Sequence, residues 1–291
     1  MAGQIVVAVD GSSPATAALE WAADDARRRG ATLKIVHVRE PWAHEYPFHA
    51  VEGFAQSYSE FCEGVLAAAA ARARELAPGL EVTTELAEGT VVETLRAASA
   101  GADALVVGSR GMGGFSGLIL GSVGLGLAGH AEVPVVVVRK PHREEYHEVV
   151  VGFDGSPHSE AALEFAFEEA RARRGRVHAV YAWEMPAFSP FAVGYGTALQ
   201  EIYDNECRAA RLRLAPWRDK HPDVPLVESA VCGHPAPALA DASLVADLVV
   251  VGSRGLGGVR GALIGSVSHA VLHRAHCPVA VVRPRDGEGR Q

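Results

Sequence analysis

No apolar run in the sequence approaches the roughly 20 residues that a helix needs to cross a bilayer. The opening residues also lack the basic-then-apolar pattern of a secretory signal. A cytoplasmic location, away from membranes, is therefore expected. Cysteine is scarce: Cys62, Cys207, Cys232 and Cys277 show no Cys-x-x-Cys spacing and no neighbouring histidine pattern. Neither a disulfide framework nor a zinc site is indicated. An excess of positive charge is missing too. With 27 Lys and Arg against 35 Asp and Glu the net charge is −8, which argues against a nucleic-acid surface, because phosphate backbones demand clustered cations. The basic run Arg27-Arg28-Arg29 before Gly30, like Arg171, Arg173 and Arg174 before Gly175, reads instead as cations at a helix C-terminus, where they stabilise the dipole.

What is present is an ordinary globular balance of 48% hydrophobic and 21% charged residues over 291 positions. That length suggests two domains, each able to bury its own core. The domains are copies. Ile5-Val6-Val7-Ala8-Val9-Asp10-Gly11-Ser12 returns as Val149-Val150-Val151-Gly152-Phe153-Asp154-Gly155-Ser156, an offset of 144 (154 − 10). Val106-Val107-Gly108-Ser109-Arg110-Gly111 returns as Val250-Val251-Gly252-Ser253-Arg254-Gly255 at the same offset of 144 (252 − 108). A shift held from end to end of a repeat means duplication. The apolar pattern breaks near Lys140 to His147, so domains over 1–140 and 147–285 are expected.

Within the first copy, Ile5–Val9, Leu33–Val38, Ala104–Val107 and Val135–Val138 read as strands, with a weaker one near Glu81–Leu86. Their near-continuous Val, Leu and Ile content suits strands covered on both faces. Ala18, Trp21, Ala22 and Ala26, matched by Ala162, Phe165, Ala166 and Ala170, fall at helical spacing. Strands alternating with helices imply parallel strands joined by right-handed crossovers. The fold class is α/β: two tandem doubly wound parallel sheets of about five strands each.

Ligands of such sheets sit beyond the carboxyl ends of the strands, where strand order reverses. Asp10-Gly11 and Asp154-Gly155 lie at one such end. At another lie the glycine-rich segments Gly108 to Gly117 with Gly121-Ser122, and Gly252 to Gly261 with Gly265-Ser266. Glycines let backbone amides approach an anion, and a helix opening at Ser122 or Ser266 adds free amides and a positive dipole end. An Asp carboxylate can accept from ribose hydroxyls. Taken alone, Asp-Gly is a common turn and a glycine-rich loop is a weak signal. Both at strand ends, each twice over, favour a phosphate site. Arg110 and Arg254 lie inside the loops but read as solvated side chains.

The pattern Gly-x2-Gly-x9-Gly-Ser, in Gly108, Gly111, Gly121 and Ser122 and again in Gly252, Gly255, Gly265 and Ser266, resembles the ATP-binding loop of universal stress proteins. The likeness spans nearly the whole chain, including Val36-His37-Val38 and His276-Cys277-Pro278-Val279. The resemblance implies the adenine nucleotide alpha hydrolase-like strand order 3-2-1-4-5 and ATP, with Mg²⁺, as the ligand. It implies that Asp10 and Asp154 hold the ribose, that the loop glycines and Ser122 or Ser266 hold the phosphates, and that the backbone at Val38 and Ala182 meets the adenine edge. It also implies that the Val135–Val138 and Val279–Val282 edges pair the two domains within the chain, with a homodimer of chains conceivable.

One departure stands out. Copy two opens its last helix as Ser266-Val267-Ser268-His269-Ala270, whereas copy one has Ser122-Val123-Gly124-Leu125-Gly126 and then Gly129. Each glycine inside a helix costs about 1 kcal/mol relative to alanine, so a looser helix and weaker binding are expected at the first site. His130, His273 and His276 are expected to lie at the surface or pack rather than react, Cys277 to act as a small buried hydrophobe, and the segment from Trp42 to Phe54 to form a long connection. Enzymatic turnover is not expected. The chain's lysines, Lys34, Lys140 and Lys220, all lie outside the loops, whereas P-loop enzymes place one among the phosphates. An ATP-dependent regulator of a stress or dormancy response, read by an unidentified downstream protein, is the leading expectation. A slow ATPase or self-phosphorylating protein using the same loops is the second, and a scaffold with empty loops the third.

Overall fold

Residues 3–41, 52–111, 120–141, 144–183, 196–256 and 264–284 are described by the structure, a computed structural model. Contacts divide the chain into two units, Met1–Arg143 and Glu144–Gln291. Unit 1 runs β1 (Gln4–Ala8), α1 (Ser13–Arg29), β2 (Thr32–Arg39), α2 (Phe54–Leu76), β3 (Val82–Glu88), α3 (Val91–Ala98), β4 (Ala104–Gly108), α4 (Ser122–His130) and β5 (Val135–Val138). Unit 2 repeats it as β6 (Glu148–Gly152), α5 (Pro157–Ala172), β7 (Arg176–Trp183), α6 (Gly196–Lys220), β8 (Leu226–Cys232), α7 (Pro235–Ala242), β9 (Leu248–Gly252), α8 (Ser266–Arg274) and β10 (Val279–Val282). Of the long connection expected after β2, residues 42–51 lie outside the described ones.

Every strand pairing within a unit is parallel. In unit 1 they give the order β3-β2-β1-β4-β5, and in unit 2 the order β8-β7-β6-β9-β10. This is the 3-2-1-4-5 arrangement that the resemblance implied. The valine-rich strands are central and buried: Val149, Val150 and Val151, like Ile5, Val6 and Val7, are fully enclosed. β3 and β8 carry polar residues, Thr83, Thr84 and Glu85 in the one and Glu228 and Ser229 in the other, as edge strands can.

Helix ends follow local chemistry. Ser12 caps α1 by accepting from the Ala15 amide and Ser156 caps α5 by accepting from Ser159, with Pro14 and Pro157 in the first turns. Gly30 closes α1 in the left-handed region at φ 63°, a conformation that glycine adopts at little cost. The arginines ending these helices do more than face a dipole. Arg29 pairs with Asp25, and Arg173 with Glu169, each at 3.0 Å with the acid fully buried. Removing either partner would strand a buried charge.

The glycines of α4 do not prevent it from matching α8, at nine residues each. Their role is close packing. A methyl on Gly126 would lie 3.1 Å from Val92 Cγ2 of α3, and one on Gly124 would lie 3.3 Å from Leu120 Cδ1. In copy two the pair Val92/Gly126 becomes Ala236/Ala270, so volume is moved across the helix contact rather than lost. His130 bonds the Gly126 carbonyl within its own helix at 2.8 Å, in keeping with a packing role. Cys277 is buried, and burial pushes its thiol up to about 12, so the thiolate that would react is suppressed.

Candidate functional site

Asp10 and Asp154 each sit two residues past the end of β1 or β6, and each uses its two carboxylate oxygens differently. Oδ1 accepts the amide of Ser12 or Ser156, at 2.9 Å in both units. That is the turn reading, and the turn delivers the serine that caps the next helix. Oδ2 faces the glycine-rich loop: a methyl on Gly111 would lie 2.6 Å from Asp10 Oδ2, and one on Gly255 would lie 2.5 Å from Asp154 Oδ2. In unit 2 the Leu256 amide donates to the same oxygen at 3.0 Å. The aspartate is thus both turn residue and loop anchor.

Gly108 and Gly252 end β4 and β9 where another backbone passes. A methyl on Gly108 would lie 2.7 Å from the Pro14 carbonyl carbon, and one on Gly252 would lie 2.7 Å from that of His158. The glycines thereby let the first turn of α1 or α5 close over the strand end. Gly121 and Gly265 donate their amides to the Ser109 and Ser253 carbonyls at 2.7 Å, tying each helix start to the start of its loop. Neither N-cap glycine brings a side-chain cap, so among the described residues the first-turn amides of α4 and α8 are left to an anion. Ser122 and Ser266 stand exposed at those ends.

In unit 2 the expected residues converge. A cavity of about 780 Å³ is lined by Asp154, Ala182, Gly252, Gly255, Gly265 and Ser266 together. In unit 1, Asp10, Gly108, Gly111, Gly121 and Ser122 hold the equivalent backbone positions, and Val38 is the counterpart of Ala182. The Phe153 amide takes the Val180 carbonyl, so even-numbered residues of β7 turn their main chain towards β6. Ala182 does so just past the end of β6, where a base edge can meet it. The loop middles, residues 112–119 and 257–263, lie outside the described residues.

Several lining residues were not anticipated. Ser159 Oγ accepts the Asp154 amide at 3.3 Å and donates to the Ser156 carbonyl at 2.9 Å. Ser268 Oγ donates to the Gly252 carbonyl at 2.5 Å. Leu239 and Pro235 of α7 form an apolar wall. The two serines could have been found by comparing the copies, because copy one has Ala15 and Gly124 there. Arg110 is exposed, as a solvated side chain should be, but Arg254 is half-buried along the cavity. Its buried Nε has no hydrogen-bond partner among the described residues.

The electrostatics suit an anion beside a fixed carboxylate. Burial pushes the Asp154 carboxyl up, but hydrogen bonds from Ser156, Leu256 and Ser159 outweigh it, and the group sits below its ordinary value. Burial first, then the charges of Arg254 and Arg283, pushes the His158 imidazole below its usual value, with Asp154 acting against them.

The model of the universal stress protein family matches residues 1–139 and again 145–283. A universal stress protein of Mycobacterium tuberculosis is 37% identical over 308 residues, covering 97% of this chain and 96% of the relative. A second from that organism is 38% identical over 288 residues, covering 96% of each. One from Mycolicibacterium smegmatis is 35% identical over 296 residues, covering 97% of each. Among solved structures, a universal stress protein from Archaeoglobus fulgidus matches with a TM-score of 0.68 at 22% identity, covering 97% of this chain and 98% of that one, a likeness of fold. No helix among the described residues is long and apolar enough to cross a membrane.

Proposed function

The chain belongs to the universal stress protein family, and from that premise we propose that each unit binds ATP and that the protein is a nucleotide-dependent regulator of a stress or dormancy response in the cytoplasm. The observation that carries this reading is a cavity that gathers Asp154, Ala182, Gly252, Gly255, Gly265 and Ser266 together. Its volume of about 780 Å³ falls within the ~300–1,000 Å³ typical of small-molecule sites.

The residues fit the ligand chemically. Loop and α8 amides, with the unpartnered Arg254 Nε, suit phosphate oxygens. Asp154 keeps a carboxylate oriented for a ribose hydroxyl, and the apolar wall of Leu239 and Pro235 suits a base. Mg²⁺ would ride on the phosphates, since no cluster of His, Cys, Asp and Glu among the described residues could hold a metal. Bound ATP would tie the glycine loop to the helix start, and the ordered surface is what a downstream protein would read. A ligand shifts such an equilibrium only by its difference in affinity between the two states.

The test is titration calorimetry with Mg·ATP, with mass spectrometry of any small molecule released on denaturation. Micromolar binding is expected, reduced at least tenfold at one site by Asp154→Ala. No heat at millimolar Mg·ATP would overturn the proposal. A second reading, slow hydrolysis or self-phosphorylation, draws on Ser266 standing exposed at the start of α8. Phosphate release or phosphoserine that disappears in Ser266→Ala would select it.

A further inference from the structure

A chain of polar side chains crosses three strands of unit 2 and takes no part in the cavity. Glu148 opens β6, His178 lies in β7 and Ser229 lies in the open edge strand β8. Ser229 Oγ is 2.9 Å from His178 Nε2, and His178 Nδ1 is 3.1 Å from Glu148 Oε1. Register brings them together. Glu148 pairs with Arg176, and His178 pairs with Val227, so each step outward advances two residues and stays on one face. Arg176 also donates to Glu148, pinning the carboxylate from its other side. A carboxylate accepts hydrogen bonds, so Nδ1 of the neutral ring carries the hydrogen and Nε2 is left to take a proton from Ser229. Both separations lie in the range of an activated nucleophile with an oriented base.

We propose that Ser229, His178 and Glu148 form an ester-hydrolysing site distinct from the nucleotide cavity, acting on small carboxylic esters. Ser229 is the nucleophile, His178 is the general base and then acid, and Glu148 is a positioning residue. Access is open: the His178 side chain is 21% exposed. Val227, two residues before Ser229 on the same face, is 45% exposed and offers apolar contact to a short acyl chain. The ladder also aims a donor. The Val177 amide reaches the Pro225 carbonyl and the Gly233 amide reaches that of Trp183, so odd-numbered residues of β8 bond to β7. The Ala230 amide, next to the nucleophile, therefore turns away from β7, where among the described residues it is open to a developing oxyanion. Tyr203 donates its hydroxyl to the Ala230 carbonyl at 3.4 Å on that side.

Unit 1 provides the contrast. The same three positions are Gln4, Lys34 and Glu85, and Lys34 Nζ pairs with Glu85 Oε2 at 2.6 Å. There the strands are linked with no nucleophile. In unit 2, Ser229 Oγ would attack the ester carbonyl as its proton passes to Nε2. The carbon–oxygen bond to the leaving alcohol then breaks, and the alcohol leaves with that proton. Water, deprotonated by His178, attacks the acyl-serine, and the proton returns to Ser229 Oγ as the carboxylic acid departs.

The full chain is incubated with a fluorophosphonate probe, and p-nitrophenyl acetate hydrolysis is followed in parallel. Ser229 Oγ should bond to phosphorus as fluoride leaves, giving one adduct that peptide mass spectrometry places on Ser229. Ser229→Ala should abolish the adduct and lower ester turnover about a hundredfold. Glu148→Gln should slow labelling at least tenfold and Glu148→Asp should recover part of it, each read at a temperature well below that variant's own melting point. As a variant that preserves the fold, Ser229→Cys should be alkylated by iodoacetamide at least tenfold faster than the exposed Cys232 of the same strand. No adduct on Ser229, turnover unchanged in Ser229→Ala, or equal alkylation of the two thiols would overturn the assignment.

Discussion

Asp154 shows how one side chain can be tied to both turn and loop. Its folded-state pKa lies below the ordinary 3.8, so its stabilisation is fully present above that value and is lost as pH falls through the lower, folded one. Asp154→Asn is expected to lower stability at pH 7 by about 1–2 kcal/mol, the scale of hydrogen bonds to a charged group. Thermal melts of variant and wild type should converge as pH falls through that lowered, folded-state value. The two loop glycines should separate in kind. Gly255→Ala meets the Asp154 carboxylate, whereas Gly252→Ala meets the His158 backbone. Gly255→Ala should therefore weaken nucleotide binding and cost no more stability than Asp154→Asn, and Gly252→Ala should cost about 1–3 kcal/mol through overpacking. Calorimetry and melting read the two effects separately. The resemblance made most of this cavity legible in the sequence, down to Gly252 and Asp154. Ser159 and Ser268 escaped because a serine near a helix start looks like an ordinary cap until the carbonyl or amide that it serves is placed.

At the level of elements, apolar runs were enough to foresee about five strands per copy, including the weak one near Glu81–Leu86 that forms over Val82–Glu88. Propensity misled at α4, where glycine reads as a flaw. The contact between α3 and α4 supplies the reason, since Gly126 leaves room for Val92. A double-mutant cycle tests that pairing. Gly126→Ala alone should gain nothing or destabilise despite alanine's advantage of about 1 kcal/mol in a helix. With Val92→Ala added the advantage should emerge, giving a coupling of about 1 kcal/mol in denaturant melts. The buried pairs Asp25–Arg29 and Glu169–Arg173 were equally hidden in the sequence, because arginine near a helix end already has a dipole to explain it.

For the molecule as a whole, the two units carry equivalent backbone frames for the proposed site with different degrees of bracing. Ser159 and Ser268 brace the second, whereas Ala15 and Gly124 cannot brace the first. The expectation of a weaker first site thus gains a cause beyond helix propensity. Titration should resolve two classes of ATP site, and Ala15→Ser with Gly124→Ser should draw the weaker class towards the stronger by roughly three- to tenfold, the worth of about one hydrogen bond. Two classes that do not move would refute that account. The unbroken spacing of 144 residues has a practical sequel. A segment exchanged for its counterpart keeps the same number of residues between its joints, so a single gene provides donor, recipient and matched control for grafting the unit 2 pocket.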